Sequence, residues 1–209
     1  MKNIERALLE AVGARIAADG FESKPVSRSF LRRVPAGRAS LHLAFIKHPR
    51  DFDVVADVAV RCDDLEDLIN ANNALLSKKD KGQTYSLGAE LGNNAGEGQM
   101  RWSVASSADV NQVADQLVAA FKEIGLPYLD RAATPEGAYK LLTGPGRDAW
   151  LHSPIHASRA KRIVGLAKIL GRADELSVRA RENLLLLEDT KDLGLQDFMR
   201  FVANLGVNV

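Results

Sequence analysis

The chain has 209 residues, 46% hydrophobic and 26% charged, the composition of a globular protein with a substantial core and not of a disordered one. Its 28 Lys and Arg nearly balance 27 Asp and Glu, so a net charge of +1 gives no general attraction to nucleic acid or to a membrane surface. Cys62 is the single cysteine, which excludes an intramolecular disulfide, and no run approaches the roughly 20 apolar residues of a membrane span.

Ile4, Leu8, Ala11, Val12 and Ile16 recur every three or four residues and predict an amphipathic helix over 3–19, ended by Gly20. Charges at Glu5, Arg6 and Glu10 interrupt this stretch, so it does not read as a signal peptide, and a soluble cytoplasmic protein is expected. Two strands are predicted at 27–34 and 40–47, joined by a turn at Pro35-Ala36-Gly37. The stretch 52–62, FDVVADVAVRC, alternates with period two. Phe52, Val54, Ala56, Val58, Val60 and Cys62 fall on one face, and Asp53, Val55, Asp57, Ala59 and Arg61 on the other. With His48–Asp51 as a short connection, an antiparallel register facing Lys47 with Phe52 sets Leu41, Leu43 and Phe45 against Val58, Ala56 and Val54. The same register sets His42 against Asp57, and a slip of one residue would turn the leucines to the polar side.

A helix is predicted over 65–76, capped by Asp63 and Asp64, followed by an exposed SKKDKGQ loop. Strands are expected at 85–91 and 99–105, with GNNAGEG, residues 92–98, as a hairpin loop between them. The helix over 107–124 is expected to stop at Gly125 and Pro127. Beyond Pro127 the pattern is helical throughout. Thr134-Pro135-Glu136 opens a helix to about 142, the helices 158–170 and 173–187 form an αα-hairpin around Gly171, and a short helix covers 194–205. The fold class expected is α+β: a five-stranded antiparallel sheet with helices packed on one face and a C-terminal helical extension. The expected division is a sheet domain over 1–130 and a helical extension over 131–209.

The run GLPYLD at 125–130, with Ala138-Tyr139 and RIVGLAKILGRADEL at 162–176 downstream, resembles an uncharacterised bacterial "domain of unknown function" family. Its members share a helix, a meander sheet, a turn of this type and C-terminal helices. The resemblance implies an α+β fold and a bacterial source, and supplies no catalytic residues. Some such families accompany toxin systems as immunity or accessory proteins.

Chemistry-bearing residues gather at two places. The far sheet face is expected to collect His42, Asp57, Arg61, Glu90 and Arg101, with His48 and Asp53 alongside. A histidine beside a carboxylate suits acid–base or small-ligand binding work, and equally suits cross-strand charge pairing. Residues 23–50 contain no acid but seven bases, among them Arg28, Arg32, Arg33 and Arg38. These form a basic edge for phosphate, or are neutralised by the acidic strand that follows. The GNNAGEG loop lacks the strand-to-helix setting of a nucleotide loop. His152 and His156 are separated by Pro154 and lack an acidic or cysteine companion, so no metal is expected. Cys62 reads as a buried hydrophobe, and Trp102 and Trp150 as core anchors.

The expected function is therefore non-enzymatic: protein interaction or an accessory, immunity-type role, with no cofactor, no membrane contact and nucleic acid disfavoured. The partner is another protein or a second copy of the chain. The alternative is a small-ligand or phosphate-binding protein that uses the polar sheet face.

Overall fold

The computed structural model describes residues 1–71, 73 and 75–207, and the fold is α+β. The chain divides into two compact units, Met1–Val60 with Gly88–Ala133, and Arg61–Leu87 with Thr134–Val209. The segment 61–87, expected with the sheet, instead groups with the C-terminal helices, for reasons of packing given below.

In the first unit α1 (Lys2–Ile16) buries Leu8, Val12 and Ile16, each four residues apart, and Gly20 ends the following turn at φ 82°. Gly13 lets this helix approach the sheet, since a Cβ there would lie 3.2 Å from the Phe30 ring. The strands are β1 (Glu22–Lys24), β2 (Ser29–Val34), β3 (Gly37–Lys47), β4 (Phe52–Cys62), β5 (Leu87–Glu90) and β6 (Trp102–Val104). They order as β1-β2-β3-β4-β5, with β6 pairing β4 as well. β1 is a short edge strand that the sequence pattern did not separate from the extended region around Pro25.

β4 is an interior strand, and its parity is as the alternation requires. Phe52, Val54, Ala56, Val58 and Val60 are fully buried and Cys62 nearly so, whereas Asp53, Asp57 and Ala59 are only half-buried. The hydrogen bond from His48 N–H to the Asp51 carbonyl (3.0 Å) closes the β3–β4 turn, as a register facing Lys47 with Phe52 needs. Phe45 and Phe52 then meet edge-on, 5.4 Å between ring centres.

Two expectations need correction here. GNNAGEG is not a hairpin loop. Residues Leu91–Ala95 form a helical turn, α4, and β6 pairs with β4 in antiparallel register (Asp53 with Ser103) and is not a hairpin partner of β5. Nor do Gly125 and Pro127 stop the long helix. α5 (Val110–Ala120) passes through one wide π turn, Phe121–Gly125, directly into α6 (Leu126–Ala132). A π turn gives the ring of Pro127, which lacks an N–H to donate, the room a regular turn denies it. Gly125 is there for contact: a Cβ would sit 2.6 Å from Phe121 Cδ2 and 3.1 Å from Leu91 Cδ2.

In the second unit α2 (Asp63–Asn70) ends well short of residue 76, and Leu75 is exposed; residues 72 and 74 of the expected helix lie outside the described residues. α3 (Lys78–Lys81) is a single turn capped by the Ser77 hydroxyl. The helices α7 (Pro135–Leu142), α8 (Arg147–His152), α9 (His156–Ile169), α10 (Ala173–Asp189) and α11 (Leu195–Asn204) follow. Thr134 caps α7 by accepting from Gly137 N–H, as its Thr-Pro-Glu sequence indicates. Gly171 at φ 67° closes α9: its N–H bonds the Lys168 carbonyl and that of Arg172 bonds Ala167, a Schellman arrangement that turns the chain into α10. Ala157, Ala160 and Val164 of α9 share a core with Ala180 and Leu187 of α10 and Phe198, Phe201 and Val202 of α11. Gly165 lets α2 press against α9, since a Cβ there would lie 2.6 Å from Leu65. This packing is what draws 61–87 into the helical unit. Trp150, expected in the core, is exposed on α8.

Candidate functional site

The strands of the first unit bring His42, Asp57 and Glu90 close enough to feel one another's charge, but His42 and Glu90 each have their own hydrogen-bond partners. His42 pairs across the ladder with Ser29, whose Oγ lies 3.0 Å from Nδ1. The Ser29 hydroxyl proton goes to the Ser27 carbonyl (2.9 Å), which assigns Nδ1 of His42 as the donor. Burial raises the Asp57 carboxyl above its ordinary range; His42 opposes this and Glu90 adds to it. No hydrogen bond joins His42 to Asp57 among the described residues. Glu90 is the N-cap of α4, its carboxylate accepting from the N–H groups of Gly92 (3.0 Å), Asn93 (2.9 Å) and Met100 (3.0 Å). All three contacts fold the loop, so the carboxylate is occupied.

A second cluster surrounds Asp53. Ser103 donates to it at 2.6 Å, His48 Nε2 lies at 3.2 Å and Arg101 at 3.8 Å, and the Ser103 bond is the main cause of a lowered carboxyl pKa. Arg101 otherwise holds Gln99 through two bonds of 2.9 and 2.7 Å. Arg61 belongs to neither cluster. It is only 4% exposed, and it donates to Asp63 (2.8 Å), Asp67 (2.6 Å), Thr84 Oγ1 (2.7 Å) and the Lys81 carbonyl (3.1 Å). These contacts fasten the loop before β5, so the five residues His42, Asp57, Arg61, Glu90 and Arg101 do not converge on one site.

Replacing Asp57 by asparagine is expected to stabilise the fold at pH 7 by less than about 1 kcal/mol. A carboxyl whose folded pKa is raised supports the fold most fully below its unfolded value of 3.8, and that support is lost as pH rises through the folded value. The advantage of Asp57→Asn should therefore vanish in denaturation curves taken below about pH 4.

The basic residues just before β2 and within β2 and β3 are likewise engaged. Arg28, at φ 53°, pairs with buried Glu5 (3.3 Å) and lies over Phe45 (5.1 Å). Arg32 pairs with Asp130 (2.8 Å) and covers Phe21 (5.0 Å). Arg33 and Arg38 face each other in the β2–β3 register, and both hold partners. Burial pushes the Cys62 thiol up to about 11, which leaves it protonated and inert as a nucleophile near neutral pH.

The second unit holds side-chain groupings that sequence spacing did not reveal. Tyr139 donates its hydroxyl to Glu175 (2.6 Å), while Arg172 lies over its ring (4.6 Å) and grips Glu136 with bonds of 2.7 and 2.9 Å. This clamp ties α7 to α10. Beside it lies a pocket of about 320 Å³ lined by Thr143, Arg159, Ile163, Arg179, Asn183 and Leu186. Arg179 is balanced by Glu182 at 2.9 Å. Arg159 is half-buried and has no carboxylate partner among the described residues; its one hydrogen bond runs from Nη1 to the Ser153 carbonyl (2.6 Å). Burial without a counter-charge lowers the pKa of its guanidinium. Arg159 and Arg162 stand three apart on α9, a weak signal in sequence, and only the fold shows that one is paired and the other is not.

Compared with known protein families, curated proteins and solved structures, the chain gives no significant match. No helix among the described residues is long and apolar enough to cross a membrane, and no group of three or more His, Cys, Asp or Glu among them is placed to hold a metal ion.

Proposed function

We propose that this protein works by binding another protein, through the outer surface of α10. One observation carries the reading: of the 17 residues of α10 only Ala180 and Leu187 are buried, while Val178, Leu185 and Leu186 are 53%, 59% and 42% exposed. Val178 and Leu185 are seven apart and form one stripe, and Leu186 lies next to it around the helix. Neighbouring exposed apolar side chains of this kind mark surfaces where a partner gains from burial. Among the polar side chains of the sheet, in contrast, His42, Asp53, Glu90 and Arg101 are engaged with other side chains or with backbone. The occupant is a protein segment that sets an apolar side chain on this stripe and carries an acidic group, since the adjoining pocket holds the unbalanced Arg159.

The test is capture from an extract of the source cells by the full chain, with mass-spectrometric identification of what is retained. A partner held by wild type and by Asp57→Asn, but reduced at least about tenfold by Leu185→Asp, supports the reading. Equal retention by Leu185→Asp, no retained protein, or a dimer in light scattering that Leu185→Asp dissolves, overturns it.

A further inference from the structure

Arg159 is the most informative charged group outside the polar sheet face. Half-buried cations ordinarily keep a carboxylate close, because desolvation of an unpaired charge is costly. Glu66 does this for Arg162, Glu136 for Arg172 and Glu182 for Arg179. Arg159 has only the Ser153 carbonyl, and that bond uses Nη1 alone. Its Nε and Nη2, the two donors that lie side by side on one edge of the guanidinium, make no hydrogen bond within the described residues. That edge matches the two oxygens of a carboxylate. The pocket it lines also holds the mutually balanced Arg179 and Glu182. The Thr143 hydroxyl donates to the Tyr139 carbonyl and the Asn183 amide to the Arg179 carbonyl, so Arg159 supplies the free donors. Ile163, Leu142 and Leu186 form the apolar wall. A few polar groups in an apolar recess is the usual make-up of a specific site.

We infer that this pocket is a carboxylate-binding site, receiving an Asp or Glu side chain or the terminal carboxylate of the protein that docks on α10. The inference rests on the docking role proposed above, and Leu186 belongs to both surfaces. The carboxylate occupies the Nε/Nη2 edge of Arg159, and the neighbouring apolar side chain of the same segment covers Leu186 and Leu185. Arg159 keeps its bond to Ser153, which fixes the plane of the guanidinium before the ligand arrives.

Titration of the full chain with acetate, followed through the arginine Nε–H signals in nuclear magnetic resonance spectra, tests the pocket without the partner. Chloride and inorganic phosphate at equal ionic strength serve as comparators. Arg159→Lys retains the charge and a donor for the Ser153 carbonyl but removes the fork; its melting temperature confirms that it folds. The expected result is a saturable acetate shift of the Arg159 signal, absent with chloride, together with a loss of partner capture of about tenfold in Arg159→Lys. A flat acetate titration, or a response to phosphate that exceeds the response to acetate, overturns the site. Capture lost in Leu185→Asp but unchanged in Arg159→Lys also overturns it, even if acetate binds, and leaves the docking role standing. Capture unchanged in Leu185→Asp removes the docking role instead, whatever acetate does.

Discussion

Replacing Arg162 by methionine should destabilise the second unit by about 3–5 kcal/mol. Glu66, its partner, is 2% exposed, with Arg162 Nε at 3.3 Å and the Asn70 amide at 3.5 Å. Arg162 also donates to the Tyr85 carbonyl (2.8 Å) and Ser153 Oγ (3.0 Å), so it ties α9 to both the 61–87 segment and the connection before α9. Methionine fills much of the same volume but leaves a buried carboxylate uncompensated. Removing the charge on both sides should recover part of the loss: Arg162→Met with Glu66→Gln should lie about 1–3 kcal/mol above Arg162→Met alone. Urea denaturation of wild type, Arg162→Met, Glu66→Gln and the double variant measures both numbers, and a double variant no better than Arg162→Met would mean that the Tyr85 and Ser153 bonds, not the ion pair, hold this region.

Gly92→Ala should cost about 3 kcal/mol or more, far beyond the usual price of placing alanine in a helical turn. A Cβ at residue 92 would meet the Gly98 carbonyl oxygen at 2.1 Å and Met100 N at 2.7 Å, both backbone atoms that cannot rotate away. Relief requires opening the loop, and that breaks the bond from Met100 N–H to the Glu90 carboxylate. Gly98 supplies the control. It sits at φ 82° with nothing within 4 Å of its would-be Cβ, so Gly98→Ala bears only backbone strain of about 1–2 kcal/mol. Thermal melts of the two variants should separate clearly, with Gly92→Ala melting lower.

The contrast between these two glycines also shows what sequence made legible. Alternation over 52–62 was sufficient to place β4 inside the sheet and to say which side chains face inward, because a single strand carries that signal in its own residues. Helix ends with local chemistry, Thr134 and Gly171, were legible for the same reason. The turn at Leu91–Ala95 was not: its cap is Glu90, an acid that reads as one more strand residue until Gly92, Asn93 and Met100 are seen around it. Arg61 was grouped with the polar sheet residues, but its partners Lys81 and Thr84 lie 20 and 23 residues later, on a loop with no periodicity. The long helix through Pro127 misled because a proline rule written for regular α-helix does not foresee a π turn. Arg159 and Arg162 look alike in sequence, and their different fates depend on Glu66, 96 residues from Arg162.

Binding through the outer face of α10 is tested most directly by amide hydrogen exchange of the full chain, alone and with its captured partner. Slower exchange over 174–189 in the complex, with residues 37–62 unchanged, is the predicted result. Slowing confined to 37–62, with α10 exchanging as freely as before, would contradict it and return the function to the polar face of the sheet.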